Sequence, residues 1–340
     1  MRNTRRTAPV LALTLTPLLL LAACSDGGDD PGAGGEAESI GAVIKGLDNT
    51  FFQAMEQGIE EQAAEDGLST EVQAAASIDD TAGQADRLSA MVGQDFDCMI
   101  VNPITATNLL AGLAQVPDGT PVVNIDLPLD ADAAADAGIE IATYVGTENE
   151  NAGQLAGEHM LELLDGEGTV GIIGGLAGDV TSTQRIDGFT AAVEGELEIV
   201  GPVAADWSRE EALTAATDMM RANPDISGFF AANDDMGLGI VRAVSNENLT
   251  DQVDVISVDG NENALQSVAD EGLSATVAQY PYAIGQLGIQ ACQVAAEGGG
   301  LPSTIEAPVA LVTPDNASDA LENFPAPFEE YDNPLESEEE

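Results

Sequence analysis

Polar and aromatic side chains follow one short apolar run after another along this chain of 340 residues. Amides, carboxylates and aromatic rings dominate the set, whose members are Asn49, Phe51, Phe52, Asn102, Asp126, Trp207, Asn233, Asp259 and Gln279. Carboxylates and amides offer acceptors and mixed donors to vicinal hydroxyl groups. Flat rings can cover the apolar C–H face of a sugar. The set therefore indicates carbohydrate binding, provided that the fold brings its members together.

Each of these residues also has an ordinary structural interpretation when it is taken alone. The asparagines could cap helices or form turns, the aspartates could occupy turns, and the two phenylalanines could belong to the core. Recurrence favours the functional interpretation, because strand after strand ends in such a residue.

The elements that must position these residues follow an alternating pattern. Apolar runs predict strands at 40–44, 98–101, 122–125, 170–173, 198–203, 228–231, 253–258, 275–278 and 308–312. Helical patterns between them cover 51–66, 106–115, 151–164, 183–194, 209–221, 236–246, 262–271 and 282–297. This alternation predicts an α/β fold with two doubly wound parallel-sheet lobes. In that architecture ligands bind beyond the carboxyl ends of the strands.

The N-terminus carries an arginine-led apolar segment that ends at Cys24. The pattern predicts a secretory signal over residues 1–23, and it resembles the lipobox of bacterial lipoproteins. That resemblance implies lipid attachment at Cys24, with a flexible linker over 24–38. A transmembrane helix is disfavoured because the apolar run is shorter than about 20 residues and Pro17 interrupts it. We expect a lipid-anchored protein on the cell surface or the periplasmic side of the cytoplasmic membrane.

The charge balance excludes one class of partner. The chain has 60 acidic and 9 basic residues and a formal net charge of -51. Nucleic-acid binding needs a basic surface that releases counterions from phosphates. No nucleic-acid partner is therefore expected, and the acidic surface concerns solubility.

Metal and cofactor sites are not predicted either. His159 is the only histidine, so no metal-ligand spacing exists and histidine-based catalysis has no second member. Cys98 and Cys292 lie in apolar stretches and are interpreted as two buried thiols, while a disulfide between them stays open.

Seven short segments, in order, resemble the ribose- and galactose-type sugar-binding proteins of bacterial ABC importers, which are type I periplasmic binding proteins. The resemblance covers about residues 40–313, and its segments are DNTFF (48–52), VNP (101–103), YVGTEN (144–149), Gly178 with QRIDGF (184–189), FAANDDMGLG (230–239), VDG (258–260) and ATVAQ (275–279). It implies two lobes joined by three crossings. The N-terminal lobe takes 39–145 plus 280–307, and the C-terminal lobe takes 146–279 plus 308–317. The acidic, proline-containing tail at 318–340 is predicted to be disordered.

The resemblance also assigns the site residues to two walls of a cleft. Asn49, Phe51, Phe52, Asn102 and Asp126 line the N-terminal wall, and Trp207, Asn233, Asp259 and Gln279 line the other. Phe52 or Phe51 would sandwich a sugar ring with Trp207.

Two departures from the ribose binders affect the expected ligand. Leu127 and Thr183 stand where those proteins carry arginines, and Arg185 is interpreted as structural, while a contact of Arg185 with the cleft stays open. Ribose is therefore disfavoured, and a phosphorylated sugar is disfavoured because the site holds acids and no obvious cation. Another neutral monosaccharide or polyol is the expected ligand.

The resemblance implies a monomeric, non-catalytic solute-binding lipoprotein that closes on its ligand and delivers it to ABC permease subunits. Two alternatives stay open: a surface receptor that signals to a sensor or chemotaxis partner, and a binder of a non-sugar polyhydroxy ligand such as a nucleoside. Glycoside hydrolysis by Asp126 and Asp259 is set aside because no nucleophile motif accompanies them. A transcription regulator is set aside because it requires a basic helix-turn-helix segment.

Overall fold

The computed structural model describes residues 37–335. The predicted signal peptide at 1–23, the predicted lipid site Cys24 and most of the predicted linker lie outside the described residues. Between residues 37 and 335, no helix combines the length and the apolar character that crossing a membrane requires.

The described chain alternates strands with helices. Its first half contains β1 (Ser39–Ile44), α1 (Thr50–Glu65), β2 (Ser69–Ala74), α2 (Thr81–Met91), β3 (Cys98–Val101), α3 (Leu110–Leu113), β4 (Val122–Ile125), α4 (Ala131–Asp136) and β5 (Thr143–Thr147). The remainder contains α5 (Asn149–Leu163), β6 (Thr169–Gly174), α6 (Val180–Val193), β7 (Glu198–Ala204), α7 (Arg209–Ala222), β8 (Ile226–Ala231), α8 (Asp234–Asn246), β9 (Asp254–Asp259), α9 (Glu262–Ala269), β10 (Ala275–Gln279), α10 (Pro281–Ala296), β11 (Thr304–Ala307), β12 (Val309–Val312) and α11 (Ala317–Asn323).

These strands form two six-stranded sheets, in the orders β11-β5-β4-β3-β1-β2 and β12-β10-β9-β8-β6-β7. Every neighbouring pair in the first sheet is parallel. In the second sheet only β12 runs antiparallel to its neighbour. The chain passes between the sheets after β5, after β10 and after β11. The predicted α/β class with two parallel-sheet lobes is confirmed.

Helices cover both faces of the first sheet, as the apolar strands predict. Along β1, Ile40 and Ile44 pack with Met55 of α1 and Leu287 of α10, whereas Val43 packs with the cluster of α2 and α3 on the opposite face. Successive side chains of a strand point to opposite faces. A strand that is apolar at every position can therefore serve two cores at once, and its polar residues are displaced to the loops that follow it.

Cys98 and Cys292 form a disulfide that joins the start of β3 to α10, with their Cα atoms 5.7 Å apart. The interpretation of these residues as two buried thiols is wrong. The bond spans 194 residues of sequence, and α10 returns to the first sheet only after five of the six strands of the second sheet, so proximity of the two cysteines depends on the topology.

The prediction of disorder after residue 318 is wrong for 318–335. Helix α11 and the residues that follow it pack on the core of the second lobe through Leu321, Phe324, Phe328 and Tyr331. The segment then reaches the first lobe, where Leu335 packs on the core and the Asn333 side chain donates to Gln290 of α10 at 2.9 Å. The acidic composition indicated disorder, but these spaced apolar residues supply enough buried area to order the chain. The predicted helix at 106–115 is also shortened, to Leu110–Leu113.

Candidate functional site

The first wall of the candidate site starts at the loop between β1 and α1. Asn49 caps α1, and its Oδ1 accepts a hydrogen bond from the Phe51 amide at 2.9 Å. The rings of Phe51 and Phe52 meet edge to face, with their centroids 5.2 Å apart. Both rings belong to the buried core of the first lobe. The capping and core interpretations of these residues are therefore correct, and ring stacking on a ligand stays a prediction.

Lys45 lies in the same loop and contacts two predicted site residues. Its Nζ is 2.9 Å from Asp126 Oδ2 and 5.0 Å from the centroid of the Phe52 ring. Sequence reasoning missed this residue and expected a site with no obvious cation. Its position in the sequence could have revealed it, because Lys45 directly follows β1 just as Asp126 directly follows β4.

Asp126 follows β4 and adopts a left-handed backbone conformation, with φ of 63°. Few non-glycine residues adopt this conformation. The hydroxyl of Tyr144 on neighbouring β5 donates to the Asp126 carbonyl oxygen at 2.6 Å and helps to hold it. Burial, followed by the Asp126 charge, raises the pKa of Tyr144 above its usual value, so the phenol stays a donor.

Asn102 follows β3 and is fully buried. Its Nδ2 lies 3.3 Å from the Met55 sulfur, and its backbone carbonyl accepts from Gln84 at 2.8 Å. Within the described residues its Oδ1 has no hydrogen-bond partner. An unpaired buried acceptor costs about 1–3 kcal/mol, which makes this oxygen a candidate acceptor for a ligand hydroxyl.

The second wall centres on the buried pair of Arg185 and Asp259. Arg185 Nη1 lies 3.0 Å from Asp259 Oδ1 and donates to the Ala232 carbonyl at 2.7 Å, while its Nε donates to Asn149 Oδ1 at 2.8 Å. Gln279 Nε2 donates to the same Asp259 oxygen at 2.8 Å. The interpretation of Arg185 as a structural residue is therefore incomplete, because its guanidinium binds a predicted site carboxylate.

The two walls face each other. Burial raises the pKa of Asp259 to about 6, the Arg185 charge opposes that rise, and the charges of Asp235 and Asp126 add to it. Phe51 of the first lobe and Asp259 and Gln279 of the second line one small cavity, which Phe324 and Phe328 of the C-terminal segment also border. Thr50 Oγ1 also donates to Asn261 Oδ1 at 3.4 Å across the gap between the lobes.

Two predicted residues of the second wall have local structural roles. Asn233 caps α8, where its Oδ1 accepts from the Met236 amide at 2.9 Å. Trp207 is half-buried with φ of 62°, and its indole lies so close to Gly175 after β6 that a methyl group there would overlap the ring. Stacking of a sugar between Trp207 and Phe52 stays a prediction. Within residues 37–335, no histidine, cysteine and acidic side chains are grouped to hold a metal ion.

Comparison with known proteins gives a consistent result. A family model described as a periplasmic binding protein domain matches residues 40–300. The chain is 31% identical to the ribose import binding protein RbsB of Bacillus subtilis, over 88% of this chain and 97% of that protein. It is 31% identical to the D-allose-binding periplasmic protein of Escherichia coli, over 80% and 89% of the two chains.

A solved structure extends the likeness. The ABC transporter periplasmic solute-binding protein of Actinobacillus succinogenes, determined with bound D-allose, superposes with a TM-score of 0.77 at 30% identity, covering 83% of this chain and 99% of that one. The Bacillus halodurans protein with bound myo-inositol gives a TM-score of 0.73 at 26% identity, covering 86% and 99%.

Proposed function

This chain belongs to the periplasmic binding protein domain family, and on that premise we propose that it binds a neutral monosaccharide or polyol between its two lobes. The observation that carries the proposal is the matched pair of ion pairs, Lys45 with Asp126 on one wall and Arg185 with Asp259 on the other. A sugar hydroxyl both donates and accepts. Each ion pair offers a carboxylate acceptor beside a cationic donor, which suits neighbouring hydroxyls.

The charges of this site favour a neutral ligand. Each of the two site carboxylates already has its own cation, so an uncharged ligand leaves both ion pairs balanced. A phosphorylated sugar would add uncompensated negative charge, and burying such a charge is costly. The sequence argument against ribose depended on missing donors, and Lys45 supplies a donor on the first wall. Ribose therefore returns to the candidate ligands beside allose and myo-inositol.

The same arrangement supports binding without chemistry. Lys45 pairs with Asp126 and Arg185 pairs with Asp259, an arrangement that suits two acceptors of ligand hydroxyl groups better than the acid and nucleophile or base of glycoside cleavage. The family is a substrate-binding one, and we propose that the chain is not an enzyme. Asn49, Phe52, Asn102 and Trp207 would complete the ligand contacts.

Ligand capture by closure follows from the architecture. The three crossings between the sheets permit the lobes to hinge, and a ligand shifts the equilibrium by its preference for the closed state. In the proposed role, the closed protein delivers its ligand to ABC permease subunits as a monomer. A receptor that passes the same closed state to a sensor is the second candidate.

The location proposed for the protein is extracytoplasmic, with a lipid anchor on Cys24. Periplasmic binding proteins of ABC importers are extracytoplasmic, and the Cys98–Cys292 disulfide fits an oxidising compartment. Replacing Cys24 by alanine and separating membrane from soluble fractions tests the anchor. The variant is expected in the soluble fraction, and retention on the membrane would argue against it.

A thermal-shift screen tests the proposed function. The panel holds D-ribose, D-allose, D-fructose, myo-inositol, uridine, adenosine and ribose 5-phosphate. A ligand present at 100 times its Kd adds about 2.7 kcal/mol to the free energy of unfolding. We expect a saturable rise in melting temperature with at least one neutral sugar or polyol and none with the phosphate. A response to the nucleosides alone would favour the alternative ligand class.

A further inference from the structure

Asp234 is a fully buried carboxylate at the start of α8, next to the predicted ligand residue Asn233. We infer that Asp234 is a positioning residue that holds the ends of β9 and β10, which carry Asp259 and Gln279, against the start of α8. This inference rests on the proposed function and concerns how the second wall of the site is held.

Three donors converge on the Asp234 carboxylate. Its Oδ1 accepts from Ser257 Oγ at 2.6 Å and from Thr276 Oγ1 at 2.7 Å, and its Oδ2 accepts from the Asn261 amide at 2.7 Å. The side chains of Ser257 and Thr276 are fully buried, so water does not compete for these bonds.

The donors flank the predicted ligand residues. Ser257 lies two residues before Asp259 and Asn261 lies two residues after it, so the carboxylate holds both sides of the turn. Asp259 itself has φ of 139°, a conformation that a non-glycine residue keeps only when its surroundings impose it. Thr276 lies on β10, the strand that ends at Gln279. One carboxylate thus ties the ends of β9 and β10 to the start of α8.

A carboxylate satisfies this set of donors better than an amide does. Both of its oxygens accept, whereas an asparagine side chain has a single acceptor oxygen and an NH₂ group that donates. Burial, followed by the charge of Asp259, raises the pKa of Asp234 to about 7, and the three hydrogen bonds oppose that rise. A buried carboxylate at this position is therefore costly. Its contribution is to tie the ends of β9 and β10 to the start of α8.

Hydrogen exchange of the ligand-free protein tests this without any sugar. The variants are Asp234→Asn, Thr276→Val and, as a control, Asp235→Asn at the same helix end, where the half-exposed Asp235 pairs with Arg209. We expect Asp234→Asn to speed amide exchange at 257–261 and 276–279 with little change in the first sheet. Thr276→Val, which removes one bond and keeps the shape, should give a weaker form of the same pattern. Unchanged exchange in these segments, or a uniform rise through both sheets, would overturn the inference.

Ligand affinity provides the second arm, with D-ribose and D-allose as probes. Asp234→Asn should weaken binding at least tenfold in the wild-type background and by a smaller factor in a Gln279→Ala background, because the part of its effect that passes through the β10 end is already lost there. Asn49 lies on the opposite wall, so in an Asn49→Ala background Asp234→Asn should weaken binding by the same factor as in the wild type. Equal effects in both backgrounds would contradict a positioning role. If the wild type binds no neutral sugar or polyol of the thermal-shift panel, the proposed function is what fails, and the exchange experiment alone decides the role of Asp234.

Discussion

The Lys45 ammonium lies between Asp126 and the Phe52 ring, 2.9 Å from the Asp126 carboxylate and 5.0 Å from the ring centroid. Lys45 is the only lysine of a chain with 60 acidic residues. Its position beside two predicted ligand residues makes it a principal donor of the first wall in the proposed site.

Replacing Lys45 by methionine should therefore weaken ligand binding. The variant keeps an unbranched apolar side chain at this position and removes the ammonium group that contacts Asp126 and the Phe52 ring. We expect at least a tenfold loss of affinity, about 1.4 kcal/mol, measured by isothermal titration calorimetry with the sugar that the wild type binds best. Arg221→Gln serves as the control, since Arg221 is exposed and pairs with Glu247. Equal affinities of wild type and Lys45→Met would remove Lys45 from the site.

Arg185 should contribute to stability as well as to binding. The Arg185→Met variant leaves the Asp259 carboxylate buried beside Gln279 without its cation, and breaking a buried ion pair typically costs about 3–5 kcal/mol. Urea denaturation should show a loss of that order. The exposed pair of Arg209 with Asp235 provides the comparison, where Arg209→Gln should cost less than about 1 kcal/mol. A smaller loss for Arg185→Met than for Arg209→Gln would contradict the described geometry.

Ligand affinity should rise with pH between about 5 and 7. Burial raises the pKa of Asp259 to about 6, with Arg185 opposing and Asp235 and Asp126 adding to the rise. Sugar hydroxyls donate to the ionised carboxylate, so bound ligand favours the deprotonated form and affinity is lost as pH falls through that pKa. Titrations at several pH values check this, and Asp259→Asn should flatten the profile. A wild-type affinity that is constant from pH 5 to 7 would argue against ligand contact with Asp259.

The disulfide should stabilise the first lobe. Replacing Cys98 and Cys292 together by alanine is expected to lower the free energy of unfolding by about 2–5 kcal/mol. Urea denaturation of the double variant should match that of the reduced wild type. A double variant as stable as the oxidised wild type would contradict the expectation.

The C-terminal segment should also add stability. Deleting 324–340 removes Phe324, Phe328 and Tyr331 from the second-lobe core, and burying one large apolar side chain is worth about 1.5–3 kcal/mol. Calorimetry should show a lower melting temperature for this truncation than for deletion of 336–340 alone. Identical melting temperatures would mean that the segment contributes nothing.

The sequence predicts the elements of the fold that contain continuous apolar runs. Strands such as β1 and β9 are buried on both faces, so their positions, the α/β class and the acids that follow them can be read directly. Strand β2 was not predicted because it is an edge strand with half-exposed polar residues. Helix α2 was not predicted either, because it buries only Gln84, Leu88 and Met91 and so carries a weak apolar pattern.

The site was predicted less completely than the fold, for a related reason. Asp126 directly follows β4 and Asp259 is the last residue of β9, but the contacts of Lys45 and Arg185 depend on side chains from distant segments. Arg185 reaches Asp259 across 74 residues of sequence, and Asp234 meets donors from two later segments. Such contacts follow from the topology, which periodicity and residue type do not specify.

Calorimetric titration of the wild-type protein with D-ribose, D-allose and myo-inositol tests the central claim most directly, when the ligand is recovered and identified afterwards. The account predicts one-site, saturable binding of at least one of these compounds, recovered unchanged. An absence of binding to all three, or the conversion of a bound sugar to a product, would contradict it.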